Sequence, residues 1–313
     1  MSYRRGRHHF LLEVSLAPNT LTLYKGAVLR FLNWCNNHHF DATNFHDLDM
    51  LLTDYFHSMY EENDGKGKGE ASKCLYGLMR FLPIVKNNLP TAELSLKGWL
   101  KSQGSISYPP LSWSLTVCIA FKMLLAREVK AGIGVLLAFH CLLRIGELTS
   151  LRRSDVALSN DPRLGIKFNN MALRLRQTKT GSNQWVEIID KDVQVLVKVL
   201  LRQTAHDDLL ILMTSMHFRS LFKETCDSLG LSSKYVPHSL RHGGATLYHL
   251  QGFSIDDVLL RGRWSSTKSA RRYIQAGRAM LLSMQTPEDL IQFGNILANN
   301  IIQAFNLSLS QLH

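Results

Sequence analysis

The chain has 313 residues, 45% of them hydrophobic, and a formal net charge of +11, which suits two modest domains or one large one and a polyanionic partner. Five cysteines (Cys35, Cys74, Cys118, Cys141, Cys226), odd in number and never in a C-x-x-C pair, argue against a disulfide framework and a zinc site. No hydrophobic run approaches 18 uninterrupted residues, so no membrane span is expected, and MSYRRGRHHF lacks the apolar core and cleavage site of a secretory signal.

Residues 1–14 read as a basic arm and residues 15–101 as a helical domain. Asn19-Thr20 can cap a helix in which Leu21, Tyr24, Val28, Phe31 and Cys35 share a face. A second helix fits Leu48 to Met59. GKGKGE, residues 65–70, reads as a flexible basic loop, either solvated or touching a phosphate. A third helix carries Leu75, Leu78, Met79 and Leu82, and a short fourth fits Ala92 to Lys101. SQGSISYPPLS, residues 102–112, cannot continue a helix and reads as an interdomain linker.

Helices are expected from Ser114 to Arg127 and from Gly132 to Leu143, the second apolar all round and therefore buried. Arg144 emerges from it and needs a partner or a ligand; Glu147 is one candidate. LGIKF, ALRLRQ and QWVEI, within residues 164–189, read as a small three-stranded antiparallel sheet with Lys179 on its second turn. Helices resume at Asp192 to Leu201, Phe218 to Leu229, Leu240 to Leu250, Ile255 to Leu260 and around Thr267 to Gln275. The stretch Gly277 to Gln285 is linker-like. Thr286-Pro287-Glu288-Asp289 then starts a helix whose stripe is Leu290, Phe293, Leu297, Ile301 and Phe305, in a tail with no cation after Arg278.

The chemistry-bearing run is Pro237-His238-Ser239-Leu240-Arg241, then Gly262-Arg263-Trp264 and Tyr273. Arginines can hold a phosphate by paired hydrogen bonds, and a phenol can attack its phosphorus. Each residue also has a plainer reading. Arg144 can be a structural ion pair with Glu147, Lys179 a solvated turn lysine with Lys167, Lys191 and Arg176 as rivals, and His238 a helix cap. Trp264 can be core, Tyr273 an amphipathic-helix residue, and Tyr248 a rival tyrosine that looks buried. His242 reads as packing that faces elsewhere.

Taken together, Arg144 in LLRIGEL, Lys179 on a turn, H-x-x-R at His238 and Arg241, and Trp264 nine residues before Tyr273 resemble the tyrosine recombinases, or phage integrases, with tryptophan where many members have histidine. The resemblance covers Ser112 to Met280 well. It implies a mainly α fold with a small antiparallel sheet: a helical core-binding domain (15–101), a linker (102–112) and a mixed α/β catalytic domain (113–282) that could close around a duplex. The C-terminal helix (283–313) would dock on a neighbouring subunit, the alternative being a helix packed in cis on the catalytic domain.

By the same resemblance the activity is site-specific DNA recombination through a 3′-phosphotyrosine, intracellular and DNA-associated, in a mobile element, without cofactor or metal. The partners are a double-stranded recombination site and further copies, two on a site and four at synapsis. Arg144 and Arg241 would clamp the scissile phosphate, and Lys179 would protonate the leaving oxygen. His238 and Trp264 would hydrogen-bond the phosphate, Glu147 would orient Arg144 or the imidazole, and Tyr273 would attack. A type IB topoisomerase and a catalytically silent DNA-binding descendant are the competing readings. DNA affinity of so basic a chain is expected to fall steeply between about 50 and 200 mM salt by counterion release. A flat anisotropy titration over that range would take the basic surface out of DNA binding.

Overall fold

A computed structural model describes residues 15–102, 108–159, 161, 170–178 and 181–310. The chain forms two compact units, Met1–Ile106 and Ser107–His313.

The first unit is helical: α1 (Pro18–Asn37), α2 (Phe45–Glu62), α3 (Lys68–Phe81), a 3₁₀ turn (Pro83–Asn87) and α4 (Pro90–Ser102). α1 packs on α3 and α2 on α4, around Phe31, Leu52, Phe56, Leu75, Leu96 and Trp99. Asp49 of α2, only 2% exposed, accepts from the backbone nitrogens of Thr91 at 3.0 Å and Ala92 at 2.9 Å. One helix thus caps the start of another with a carboxylate placed where the helix dipole favours it. Two local expectations shift. Pro18 opens α1, ahead of the Asn19-Thr20 cap. The basic loop is shorter than read, because Gly67, at φ 101°, turns the chain into α3 and Glu70 pairs with Arg30 and Lys73.

In the second unit α5 (Trp113–Leu125) packs along α6 (Val129–His140), and α6 is buried over nearly its whole length. α6 ends earlier than its apolar run suggests. Leu142 takes φ 49°, so a turn separates the helix from Arg144, which caps α7 (Ile145–Ser150). Part of the expected linker belongs to this unit: Pro109, Pro110 and Leu111 are buried, and the Leu111 N–H donates to Ser239 O at 3.2 Å.

The sheet has the order β1 (Val156–Ala157), β2 (Met171–Thr178), β3 (Gly181–Ile188), antiparallel throughout, with Leu173 opposite Val186. The expected strand LGIKF lies outside the described residues; among these, Val156–Ala157 fills the first strand position. Lys179 also lies outside them.

Then come α8 (Lys191–Arg202), α9 (Ser215–Ser228), α10 (Pro237–Leu250), α11 (Ile255–Gly262) and α12 (Thr267–Arg271). α10 seats through glycines on α6 and on the segment before α5: a Cβ on Gly244 would meet the Phe139 carbonyl of α6, and one on Gly243 the Leu111 carbonyl. The helix expected to reach Gln275 stops at Arg271, and Tyr273 lies in the following turn.

The tail differs most from its reading. Residues 276–285 are not a linker but a helix, α13 (Ala276–Gln285). The next helix is broken at Asn300 into α14 (Glu288–Asn299) and α15 (Ile301–Ser310). Part of the apolar stripe packs in cis, the alternative reading, while Phe293 stays 46% exposed. Leu297, Ile301 and Phe305 are buried in the unit's own core, α14 lies along α5, and Gly294 abuts the Ser114 backbone. Burial of Leu297, Ile301 and Phe305 removes apolar area from water within the unit itself. Phe305→Ala should therefore cost about 3–5 kcal/mol in urea unfolding, while Ile296→Ala, at a position 62% exposed, costs little. Similar costs for the two would show that the tail is not core.

Candidate active site

The site is assembled around Glu147, 5% exposed at the first turn of α7. Its Oε2 accepts from the Arg144 backbone N–H at 2.9 Å and from Arg263 Nη2 at 2.9 Å. Its Oε1 accepts from Arg144 Nη1 at 2.6 Å, and Arg241 Nη1 stands 4.0 Å from Oε2. Burial alone would raise the carboxyl pKa; Arg263, Arg144 and Arg241 outweigh it and hold the group below the ordinary carboxylate value.

Arg241, one helical turn after His238 on α10, is fully buried. Its Nη1 donates to the Leu142 carbonyl and its Nη2 to the Gly262 carbonyl, so two chain turns fix the guanidinium plane. Its Cζ lies 4.5 Å from the Trp264 ring centroid and 5.4 Å from that of Tyr273. Burial and the neighbouring Arg144 and Arg263 lower its pKa, though it stays cationic at neutral pH.

Tyr273 stands among rings. His242 stacks on it at 4.5 Å and 25°, Trp264 lies 4.6 Å away, and His238 Nε2 is 3.2 Å from the phenol oxygen. Its carbonyl accepts from Thr246 Oγ1 at 3.2 Å, and that oxygen accepts from Gln275 N at 3.0 Å. The turn carrying the tyrosine is thereby tied to α10, the helix that carries His238 and Arg241. Burial and the charges of Arg241 and Arg144 push the His238 pKa down to about 4. The ring is neutral at pH 7 and able to accept a proton. Trp264 is 7% exposed, and its Nε1 has no hydrogen-bond partner among the described residues. An indole N–H buried in this way is suited to one acceptor and cannot serve as acid or base.

Six of the seven expected residues, Arg144, Glu147, His238, Arg241, Trp264 and Tyr273, thus come together, and Lys179 lies outside the described residues. The ion-pair reading of Arg144 and its place in the cluster hold at once. Tyr248 is buried, its hydroxyl 3.2 Å from the His140 carbonyl and Arg261 over its ring. His242 does not face elsewhere: the turn after α12 brings Tyr273 onto its ring.

Sequence reasoning missed Arg263. It takes the left-handed conformation at φ 56°, and its Nη1 and Nη2 donate to the Cys141 and Leu142 carbonyls at 3.1 and 2.9 Å. A charged residue between Gly262 and Trp264 was a signal, but its fold back onto Glu147 was not. Three guanidinium groups face one carboxylate, which leaves a surplus of two positive charges in a largely buried site. That surplus fits a phosphodiester, and still better a transition state carrying more charge on the same oxygens.

Residues 123–279 match the phage integrase family. In structure the chain is similar to a lambda integrase dimer bound to a COC' core site (16% identity, 87% of this chain, 91% of that one, TM-score 0.60). It is also similar to the Tn1549 transposon integrase in complex with transposon right end DNA (12% identity, 85% of this chain, 99% of that one, TM-score 0.57). At these identities the likeness is one of fold. No curated protein matches the chain.

His140, His238 and His242 have pKa values pushed down, mainly by burial, to about 4, 4 and 3 from the ordinary 6.5. The unfolded chain takes up these protons first, so their contribution to stability is present above about pH 6.5 and is lost as pH falls toward 4. Thermal melts should show Tm dropping through that window, with a shallower drop for His238→Gln. Equal slopes for parent and variant would remove His238 from the effect.

Proposed function

The chain belongs to the phage integrase family and is a site-specific tyrosine recombinase, and from that premise we propose that Tyr273 cuts and rejoins DNA strands through a 3′-phosphotyrosine. The observation that carries this assignment is the phenol of Tyr273 in hydrogen-bond reach of a neutral imidazole, beside a site with two uncompensated positive charges.

In the proposed reaction the scissile phosphate lies against Arg144 and Arg241. The Trp264 indole N–H donates to one of its non-bridging oxygens. His238 takes the phenol proton as the Tyr273 oxygen attacks phosphorus. The bond to the 5′ oxygen breaks, Lys179 protonates that oxygen, and the 3′ phosphate remains on the tyrosine. A 5′ hydroxyl from a partner strand reverses the steps, so the energy of the diester is kept and none is supplied from outside. A weakly basic His238 suits this cycle, because the bound anion opposes the two arginine charges and raises its pKa when the phenol must be deprotonated. Glu147 holds Arg144 and Arg263 and touches no reacting atom; Arg263 is assigned a supporting part through the same carboxylate.

The substrate is a duplex recombination site. The similar structures, one a lambda integrase dimer on a core site and one a transposon integrase on transposon-end DNA, support a DNA partner and two protomers per site. The proposal extends to four protomers at synapsis, and to a DNA-contacting role for the unit Met1–Ile106. With the stripe of Leu297, Ile301 and Phe305 committed in cis, assembly is assigned to other surfaces.

The test uses a pool of duplexes of randomised sequence, each nicked at a fixed position beside one phosphate. Parent protein should form an SDS-resistant adduct whose peptide carries the nucleotide on Tyr273. Tyr273→Phe should form none at nearly unchanged DNA affinity, and Tyr248→Phe should react as the parent does. Arg144→Ala or Arg241→Ala should slow trapping by roughly 100-fold or more with a much smaller loss of binding. An adduct from Tyr273→Phe would overturn the assignment. The Lys179 role predicts that Lys179→Ala recovers its rate on a 5′-bridging sulfur substrate, whose leaving group needs no proton; lack of rescue moves the general acid elsewhere.

A further inference from the structure

A cleft lined by two cations adjoins the Tyr273 site. It has a volume of about 530 Å³, the size range of small-ligand pockets, and opens between α9, α7 and the start of α10. His238 lines it on one side and Ile145, the residue after Arg144, on another. Arg219 and Lys223 line it from α9. They are four residues apart, so their side chains rise from one helix face, and both are exposed. The lining includes no acidic side chain among the described residues, and Phe222 and Tyr108 contribute apolar surface to it. The Tyr108 ring meets His238 edge-on at 5.7 Å, which joins the cleft directly to the imidazole beside Tyr273.

Two cations, with no acidic side chain in the lining among the described residues, on a part-apolar wall, suit a phosphate that carries a sugar. Continuity with His238, and with Ile145 next to Arg144 in the chain, points to which phosphate: a strand with its scissile phosphate at the Tyr273 site would have its next nucleotide within reach of this cleft. We propose that Arg219 and Lys223 bind the phosphodiester adjacent to the scissile one, with its sugar along Ile145 and Phe222. The subsite would set where along the strand Tyr273 attacks, since a strand held at two successive phosphates cannot slide by one. This proposal rests on the recombinase reading of the Tyr273 site.

The experiment is a two-way cycle on the same nicked pool. One series replaces each phosphate flanking the scissile position, one at a time, with an uncharged methylphosphonate. The other compares the parent with Arg219→Ala/Lys223→Ala, both changes lying on exposed helix surface. For the parent, one flanking position should lower the trapping rate about tenfold, as expected for the loss of a charge-assisted contact. The double variant should be slower by a similar factor on the unmodified pool, and no slower still when that position is neutralised. The salt dependence of its DNA affinity should also be less steep, by about one unit of slope per residue removed. Losses that add at every position, or a double variant that traps as the parent does, would overturn the subsite. Absence of any Tyr273 adduct with the parent would instead sink the recombinase chemistry, so the two failures can be told apart.

Discussion

One buried carboxylate organises the catalytic unit. Glu147 is charged in a place where a lone charge would be costly, and it is tolerated because two guanidinium groups and a backbone N–H converge on it. The dependence runs both ways. Arg263 and Arg241 are themselves almost wholly enclosed, and the carboxylate and a ring of carbonyls offset the cost of burying their charge. The carbonyls come from the turn that follows α6 and from the end of α11, segments far apart in sequence. The cluster therefore stitches three stretches of chain into one fixed arrangement. A net positive field is left over, and it faces the tyrosine.

The aromatic shell answers a different problem. A phenol that must attack in line needs its ring held while its oxygen stays accessible. His242 and Trp264 confine the Tyr273 ring, and Thr246 holds the carbonyl behind it. The tyrosine sits on a turn, where no helical hydrogen-bond ladder restrains it, so these contacts supply the order that a helix would otherwise have given.

Much of the site was readable as spacing, because the elements that carry it are local. H-x-x-R places two side chains one helical turn apart wherever the segment is helical, and the LLRIGEL run announces a charge leaving an apolar helix. Arg263 escaped for a physical reason. Its contribution depends on a left-handed backbone at a non-glycine residue and on contacts more than a hundred positions away, and neither leaves a periodic trace. His242 was misjudged on similar grounds, since adjacency on a helix says which way a ring leaves the axis but not what will be folded against it. The tail misled in the opposite sense. Its stripe is legible as one amphipathic face, yet the period cannot say whether that face meets its own domain or another chain, and the break at Asn300 gives no apolar signal. The sheet was legible as a trio of strands, but Val156–Ala157 is too short to stand out from the loop around it.

The glycine seat of α10 on α6 and on the segment before α5 has a consequence for which parts of the core are free to vary. Where Gly243 and Gly244 lie directly on the Leu111 and Phe139 carbonyls, the spacing of the two segments is set by main chain against main chain. Side chains elsewhere in the core can then be exchanged, enlarged or trimmed without changing the offset between Arg241 and the turn that bears Arg144. The chain shares only 16% and 12% of its residues with the integrases it superposes on. A main-chain contact of this kind asks only that the two positions stay glycine, and it leaves the rest of the core free to vary.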